Sequence, residues 1–177
     1  MSARWRVRRA DRRERPAGVP ARARGPTVLL DNIRSAWNVG SIFRSCEGAG
    51  VRHLHLCGIS AYPPNPRVCK TALGAERMVP WSHHPQALPV VVELAARGSA
   101  IYAIELTDRS QPYDAVSFPE DVTLIFGHET AGVALPLLER AGRVLEIPMA
   151  GRKNSLNVAV SVGIVLFEVR RQRRRAT

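Results

Sequence analysis

Short β-branched, apolar runs that alternate with stretches of helical spacing constrain this chain more than any other feature. Thr27-Val28-Leu29-Leu30 ends in Asp31-Asn32, and Ser35 to Gly50 then reads as a helix stopped by glycine. His53 to Cys57, Ala100 to Glu105, Val122 to Phe126 and Arg143 to Glu146 read as further strands. Helical patterns cover Arg67 to Leu73, Pro85 to Arg97, Pro136 to Ala141 and the chain from Ser155 onward, whose apolar face runs through Val158, Val162, Val165 and Val169. The proline-rich Tyr62 to Pro66 between them must be loop, since proline supplies no ladder donor. Such alternation predicts an α/β fold: a single domain with a mostly parallel sheet covered by helices on both faces.

At 177 residues the chain is long enough to bury a real core. Its charge is uneven. Residues 1–26 and 170–177 hold 14 of the 26 basic residues, and the only acids there are Asp11 and Glu14. Three segments follow: a basic N-terminal arm over 1–26 expected to lack structure of its own, a domain over 27–169, and a basic tail over 170–177. Arginines such as Arg8, Arg9, Arg12 and Arg13 bind phosphate by bidentate hydrogen bonds, so a nucleic-acid backbone is the natural partner of the arm, and charge alone does not name RNA. A solubilising tail would show the same composition.

No apolar stretch follows the N-terminal charges, which argues against a secretory signal; an arginine-rich organellar presequence stays open. The run Val158 to Phe167 falls well short of the ~20 residues of a membrane span. Cys46, Cys57 and Cys69 are too widely spaced for a paired zinc motif and suggest reduced thiols in a cytoplasmic protein. His83-His84 lacks a spaced partner, and His53 and His55 alternate as on a strand, so no metal site is expected.

Three polar segments stand where strands give way to turns or helices, the edge at which α/β sheets bind ligands. In Asn38-Val39-Gly40-Ser41-Ile42-Phe43-Arg44, Asn38 suits a helix N-cap, and the free amides beside it would favour an anion such as RNA phosphate. An ordinary capped helix with a surface arginine gives the same pattern. In Gly127-His128-Glu129-Thr130-Ala131-Gly132, Gly127 would admit a ligand close to the backbone and Glu129 would face it; neither a dinucleotide fingerprint nor a P-loop is present. In Ile147-Pro148-Met149 through Ser155-Leu156-Asn157, an apolar ledge precedes a capped helix start and suits a flat ring such as adenine.

In this order, these motifs resemble those of the SpoU-type, or TrmH-like, RNA ribose 2′-O-methyltransferases of the SPOUT superfamily, over about residues 27 to 169. Lys70 to Glu76 also looks like a segment of many short members. The resemblance implies a C-terminal deep trefoil knot, which general rules against knotted chains would have rejected. It further implies S-adenosylmethionine as cofactor, held by Leu106, Gly127, Ile147, Ser155 and Leu156, and a homodimer. It implies catalytic roles for Arg44, Asn38, Glu129 and Asn157 in methylating a ribose 2′-hydroxyl of tRNA or rRNA.

A free guanidinium is a poor base, so Arg44 is expected to grip a phosphate and polarise the hydroxyl. Asn38 would orient Arg44 or the ribose, Glu129 would hold the Arg44 side of the pocket, and Ser155 with Asn157 would shape the acceptor pocket. Two other functions stay open: a non-catalytic RNA-binding protein of the same fold, and an RNA methyltransferase acting on a base nitrogen.

Overall fold

The computed structural model describes residues 25–175; the arm with Arg8, Arg9, Arg12 and Arg13 lies outside them. Seven strands form one sheet: β1 (Thr27–Asp31), β2 (His53–Cys57), β3 (Trp81–His84), β4 (Ala100–Ile104), β5 (Gln111–Pro112), β6 (Val122–Phe126) and β7 (Arg143–Glu146). Their order is β3-β2-β1-β6-β4-β7-β5 and every ladder is parallel. The helices are α1 (Ala36–Ala49), α2 (Pro66–Ala72), α3 (Ala87–Ala96), α4 (Leu135–Leu138) and α5 (Val158–Arg175).

Strand alternation sorts the core into two layers. Val28, Leu30, Leu54, Leu56, Leu124 and Phe126 pack under α1 and α5, against Val39, Phe43, Val162 and Leu166. Leu29, Ile101, Ala103 and Ile125 point the other way, against Val90, Val91 and Leu94 of α3 and Leu137 of α4. The central strands β1 and β6 are therefore buried on both faces, which explains their unbroken apolar runs.

The expected apolar face of α5 is buried at Val158, Val162, Val165 and Val169, with Leu166 beside them. That helix runs on to Arg175, so the arginines from Arg170 ride on its last turns. Gly50, at φ 83°, closes α1 by donating to the Cys46 carbonyl.

Two strands escape sequence patterning. β5 is a two-residue edge strand, where Pro112 is tolerated because its missing donor would face outward. β3 reads Trp-Ser-His-His, with polar side chains at three of its four positions and all four half-buried. It sets His84 in a hydrogen-bonded cluster with the histidines of β2. Ser82 Oγ lies 2.8 Å from His53 Nε2, 2.8 Å from His84 Nε2 and 3.2 Å from His55 Nδ1, and the last two nitrogens are 3.1 Å apart.

Burial, then His53, His84 and Arg52, push His55 from 6.5 down to about 3; burial, then His84 and Arg52, lower His53 as well. The unfolded chain takes up a proton below pH 6.5 that the folded His55 refuses until about pH 3, so stability falls as the pH drops through that window. Denaturant titrations from pH ~7.5 to ~5 should show the folded-to-unfolded ratio falling by up to about tenfold per pH unit below 6.5 from His55, with His53 adding to the slope. His55→Gln should shallow that slope. An identical slope in the variant would exclude His55 as its source.

Candidate active site

The C-terminal edge of the sheet gathers the loops after β1, β4, β6 and β7, as the parallel arrangement requires. Ser35, not Asn38, caps α1: its hydroxyl accepts from the Asn38 amide at 3.3 Å. The anion at this helix end belongs to the protein itself. The Glu129 carboxylate accepts from the Arg34 amide at 2.9 Å, the Ser35 amide at 3.1 Å and the Asn38 side-chain amide at 3.0 Å. With the helix starting earlier than the sequence suggested, the amide next to Asn38 is instead inside it, Val39 donating to the Ser35 carbonyl at 3.1 Å. Partial burial opposes the Glu129 charge, but donation from Arg34, from its own amide, from Ser35 and from Asn38 prevails and holds the carboxyl below its ordinary value.

Asn38 continues the chain of contacts. With its Nδ2 committed to Glu129, its Oδ1 accepts from Asn157 Nδ2 at 3.1 Å. Asn157 in turn caps α5, its Oδ1 accepting from the Ala159 amide at 2.9 Å. The helix starts at Val158, so the cap falls on Asn157, and Ser155 lies in the preceding loop. Three segments far apart in sequence are therefore joined by a single line of hydrogen bonds, Glu129 to Asn38 to Asn157.

The 127–133 loop is shaped by its own backbone. His128 and Gly132 exchange backbone hydrogen bonds of 3.0 and 2.8 Å. A β-carbon on Gly127 would collide with the backbone of Gly132 and Val133, so the close approach at Gly127 is first that of the chain itself. Gly132, at φ 73°, is closed in by Glu105, whose carboxylate accepts from the Val133 amide at 2.9 Å and the Leu106 amide at 2.9 Å. Glu105 was not singled out from the sequence. The usable signal was an acid at the end of a strand ending beside a two-glycine loop.

These loops enclose a cleft of about 690 Å³, within the range of small-ligand sites. Leu106, Gly127, Glu129, Ile147, Ser155 and Leu156 all line it. Leu106, Met149 and Leu156 present exposed apolar surface at 54%, 36% and 38%. Among the described residues, the backbone of 149–156 forms no hydrogen bond, which leaves its donors and acceptors for a ligand. Open peptide groups beside an apolar ledge match the needs of an adenosyl group, so the cleft fits S-adenosylmethionine. No group of three or more His, Cys, Asp or Glu side chains among the described residues could hold a metal ion.

Arg44 is not brought to this cleft. Six residues beyond Asn38 on a regular helix, it lies about 9 Å further along and roughly 120° round the axis. It is exposed and, among the described residues, forms no hydrogen bond or ion pair, so neither Asn38 nor Glu129 orients it.

The same arrangement occurs in known proteins. A model of the SpoU rRNA Methylase family matches residues 25–167. The tRNA (guanosine(18)-2′-O)-methyltransferase of Thermus thermophilus is 32% identical over 170 residues, covering 95% of this chain and 87% of that one. The 23S rRNA (guanosine(2553)-2′-O)-methyltransferase of Bacillus subtilis is 32% identical over 144 residues, covering 81% of this chain and 57% of its own. The SpoU methyltransferase AviRb of Streptomyces viridochromogenes, crystallised with the cofactor AdoMet, superposes with a TM-score of 0.81 at 27% identity, over 89% of this chain and 64% of that one. With the matched span running from the residues before β1 well into α5, and so containing every strand and the whole cleft, the chain belongs to the SpoU rRNA Methylase family.

Proposed function

We propose that this protein transfers the methyl group of S-adenosylmethionine to a ribose 2′-hydroxyl of tRNA or rRNA. The observation that carries this is the Glu129–Asn38–Asn157 line at the rim of a cleft whose open backbone suits the cofactor. By name, the Thermus and Bacillus relatives act on a guanosine ribose of tRNA and of 23S rRNA.

When bound, S-adenosylmethionine supplies a methyl group on a sulfonium, open to in-line attack. Leu106, Gly127, Ile147, Ser155 and Leu156, all of which line the cleft, would hold it there. Asn38, locked by its two partners, and Asn157 stand at the rim, where they would position the ribose. Arg44 grips the phosphate beside the target ribose and polarises the hydroxyl, whose proton passes to a phosphate oxygen or water.

Because Arg44 stands away from its own cleft, a second copy completes the site, and the protein acts as a homodimer. Val160 and Phe167, 49% and 51% exposed on α5 beside α1, support this as an apolar contact. The C-terminal trefoil knot belongs to the same proposal. It is supported by the return of α5 onto α1, which sets Asn157 against Asn38 across 119 residues of chain. No helix among the described residues is long and apolar enough to cross a membrane, and a cytoplasmic location with its RNA substrates is part of this proposal.

Incubating the purified protein with methyl-labelled S-adenosylmethionine and separate pools of unmodified tRNA and rRNA tests the reading. Label in one pool is expected, and measurable cofactor binding with no label in either would favour a non-catalytic RNA-binding role. The arms add a second expectation. Deleting residues 1–24 should weaken RNA binding and flatten its salt dependence by about 0.9 log unit per lost phosphate contact, with cofactor affinity unchanged. An unaltered salt slope in filter-binding titrations would remove the arm from RNA recognition.

A further inference from the structure

Trp37 stands immediately before Asn38, yet it takes no part in the line that Asn38 forms. It is 42% exposed, unusual for a residue with so much apolar surface. Its position is nonetheless built with care. Its backbone carbonyl accepts from two hydroxyls, Thr71 Oγ1 at 3.0 Å and Ser41 Oγ at 3.1 Å. The first bond requires α2 to lie close on α1, and Gly40 allows it: a β-carbon there would collide with Thr71 Oγ1 and the Val68 carbonyl. The same docking brings Lys70 Nζ over the indole, 5.6 Å from the ring centroid. The residue is thus anchored by its backbone, with a cation at one side of the ring and 42% of its surface open to solvent.

The surroundings select what it can meet. Arg34, Arg44, Arg67 and Lys70 are exposed around or along this ridge, and Glu47 is the only acid in α1 or α2. A second copy packing its own Trp37 ridge on this one would set cations against cations, an arrangement that the proposed dimer avoids because there Arg44 faces the partner's cleft. A polyanion that also carries flat rings meets no such penalty. Trp37 and Arg44, seven residues apart, lie on one side of α1 about 10 Å from each other, so one strand can offer a phosphate to the arginine and a base to the indole.

We propose that Trp37, with Lys70 at its side, is a stacking platform for an unpaired base of the RNA substrate close to the methylated nucleotide. This rests on RNA being the substrate. Stacking has a signature that ion pairing lacks: it carries no counterion, so its loss weakens binding equally at every salt concentration.

Equilibrium binding of unmodified tRNA and rRNA to the full chain should be measured over a salt series for the wild type, Trp37→Ala, Trp37→Phe and Lys70→Gln. Trp37→Ala should weaken binding between about 5- and 150-fold with the salt slope unchanged. Trp37→Phe should restore most of the loss, and Lys70→Gln should flatten the slope. With the RNA that accepts methyl groups, Trp37→Ala should raise KM and spare kcat at saturation, with S-adenosylmethionine affinity and oligomeric state as in the wild type. Wild-type RNA affinity in Trp37→Ala would overturn the proposal, as would a change of oligomeric state in that variant, which would make Trp37 a subunit contact. If no RNA accepts a methyl group but Trp37→Ala still weakens RNA binding at constant slope, the platform stands and the enzymatic reading falls.

Discussion

Replacing Asn38 with aspartate should lower kcat by about a hundredfold or more near pH 8 without unfolding the protein. The two side chains have the same shape, so packing is kept. What changes is the sign of one contact. Asn38 Nδ2 now donates to Glu129 Oε1 at 3.0 Å, and aspartate would set a second carboxylate at that distance. Glu129 is held ionised by the end of α1, so repulsion must push one carboxylate away or force a proton onto the pair. Near pH 8 repulsion prevails and displaces the side chain that also holds Asn157 at the start of α5.

The pH dependence of that variant is distinctive. In the wild type, the depressed Glu129 pKa contributes stability above its ordinary value, and that contribution is lost as pH falls through the folded value. In the variant, acidification protonates the pair and returns a donor between positions 38 and 129, so relative activity should rise as pH falls. Profiles of kcat and kcat/KM, with cofactor affinity followed by calorimetry, decide this. Wild-type turnover near pH 8 would show that the Glu129–Asn38–Asn157 line has no part in the reaction.

Truncating Arg44 to alanine should reduce methyl transfer by about 10²- to 10⁴-fold, because both phosphate positioning and hydroxyl polarisation are lost. S-adenosylmethionine affinity should stay the same, since Arg44 does not line the cleft. Lysine should rescue poorly, having the charge but not the planar fork. The proposed dimer makes a stronger statement. If Arg44 serves the partner's cleft, a mixture of Arg44→Ala and Glu129→Ala subunits forms heterodimers with one intact site. Random two-fold pairing then recovers up to about a quarter of wild-type activity from two inactive proteins. Failure to recover any activity would place Arg44 and Glu129 in the same subunit's site.

Local pattern revealed the elements whose physics is local. The buried runs of β1 and β6 show in sequence because both-sided burial excludes polar residues, while β2 and the valine face of α5 show by their periodicity. The family resemblance named Leu106, Gly127, Ile147, Ser155 and Leu156 together, and all five line one cleft. Capping was less legible. Ser35 and Asn38 are both good caps three residues apart, and the choice is made by Glu129, 91 residues from Asn38, which draws the Asn38 amide to itself. Likewise Asn157 rather than Ser155 begins α5, in a geometry that Asn38 supports. β3 went unseen because Ser82 and His84 find partners on β2, and Glu105 because one of its partners, Val133, lies in a loop 28 residues away. In each case the deciding contact is tertiary.

The position of the transferred methyl group tests the proposed chemistry most directly. RNA labelled by the wild-type protein should be hydrolysed in alkali, which cleaves through free 2′-hydroxyls and spares the bond next to a methylated one. Ribose methylation predicts label in alkali-stable dinucleotides, lost when Arg44 is replaced by alanine. Label in mononucleotides would mean a methylated base and would contradict a site built to position a ribose.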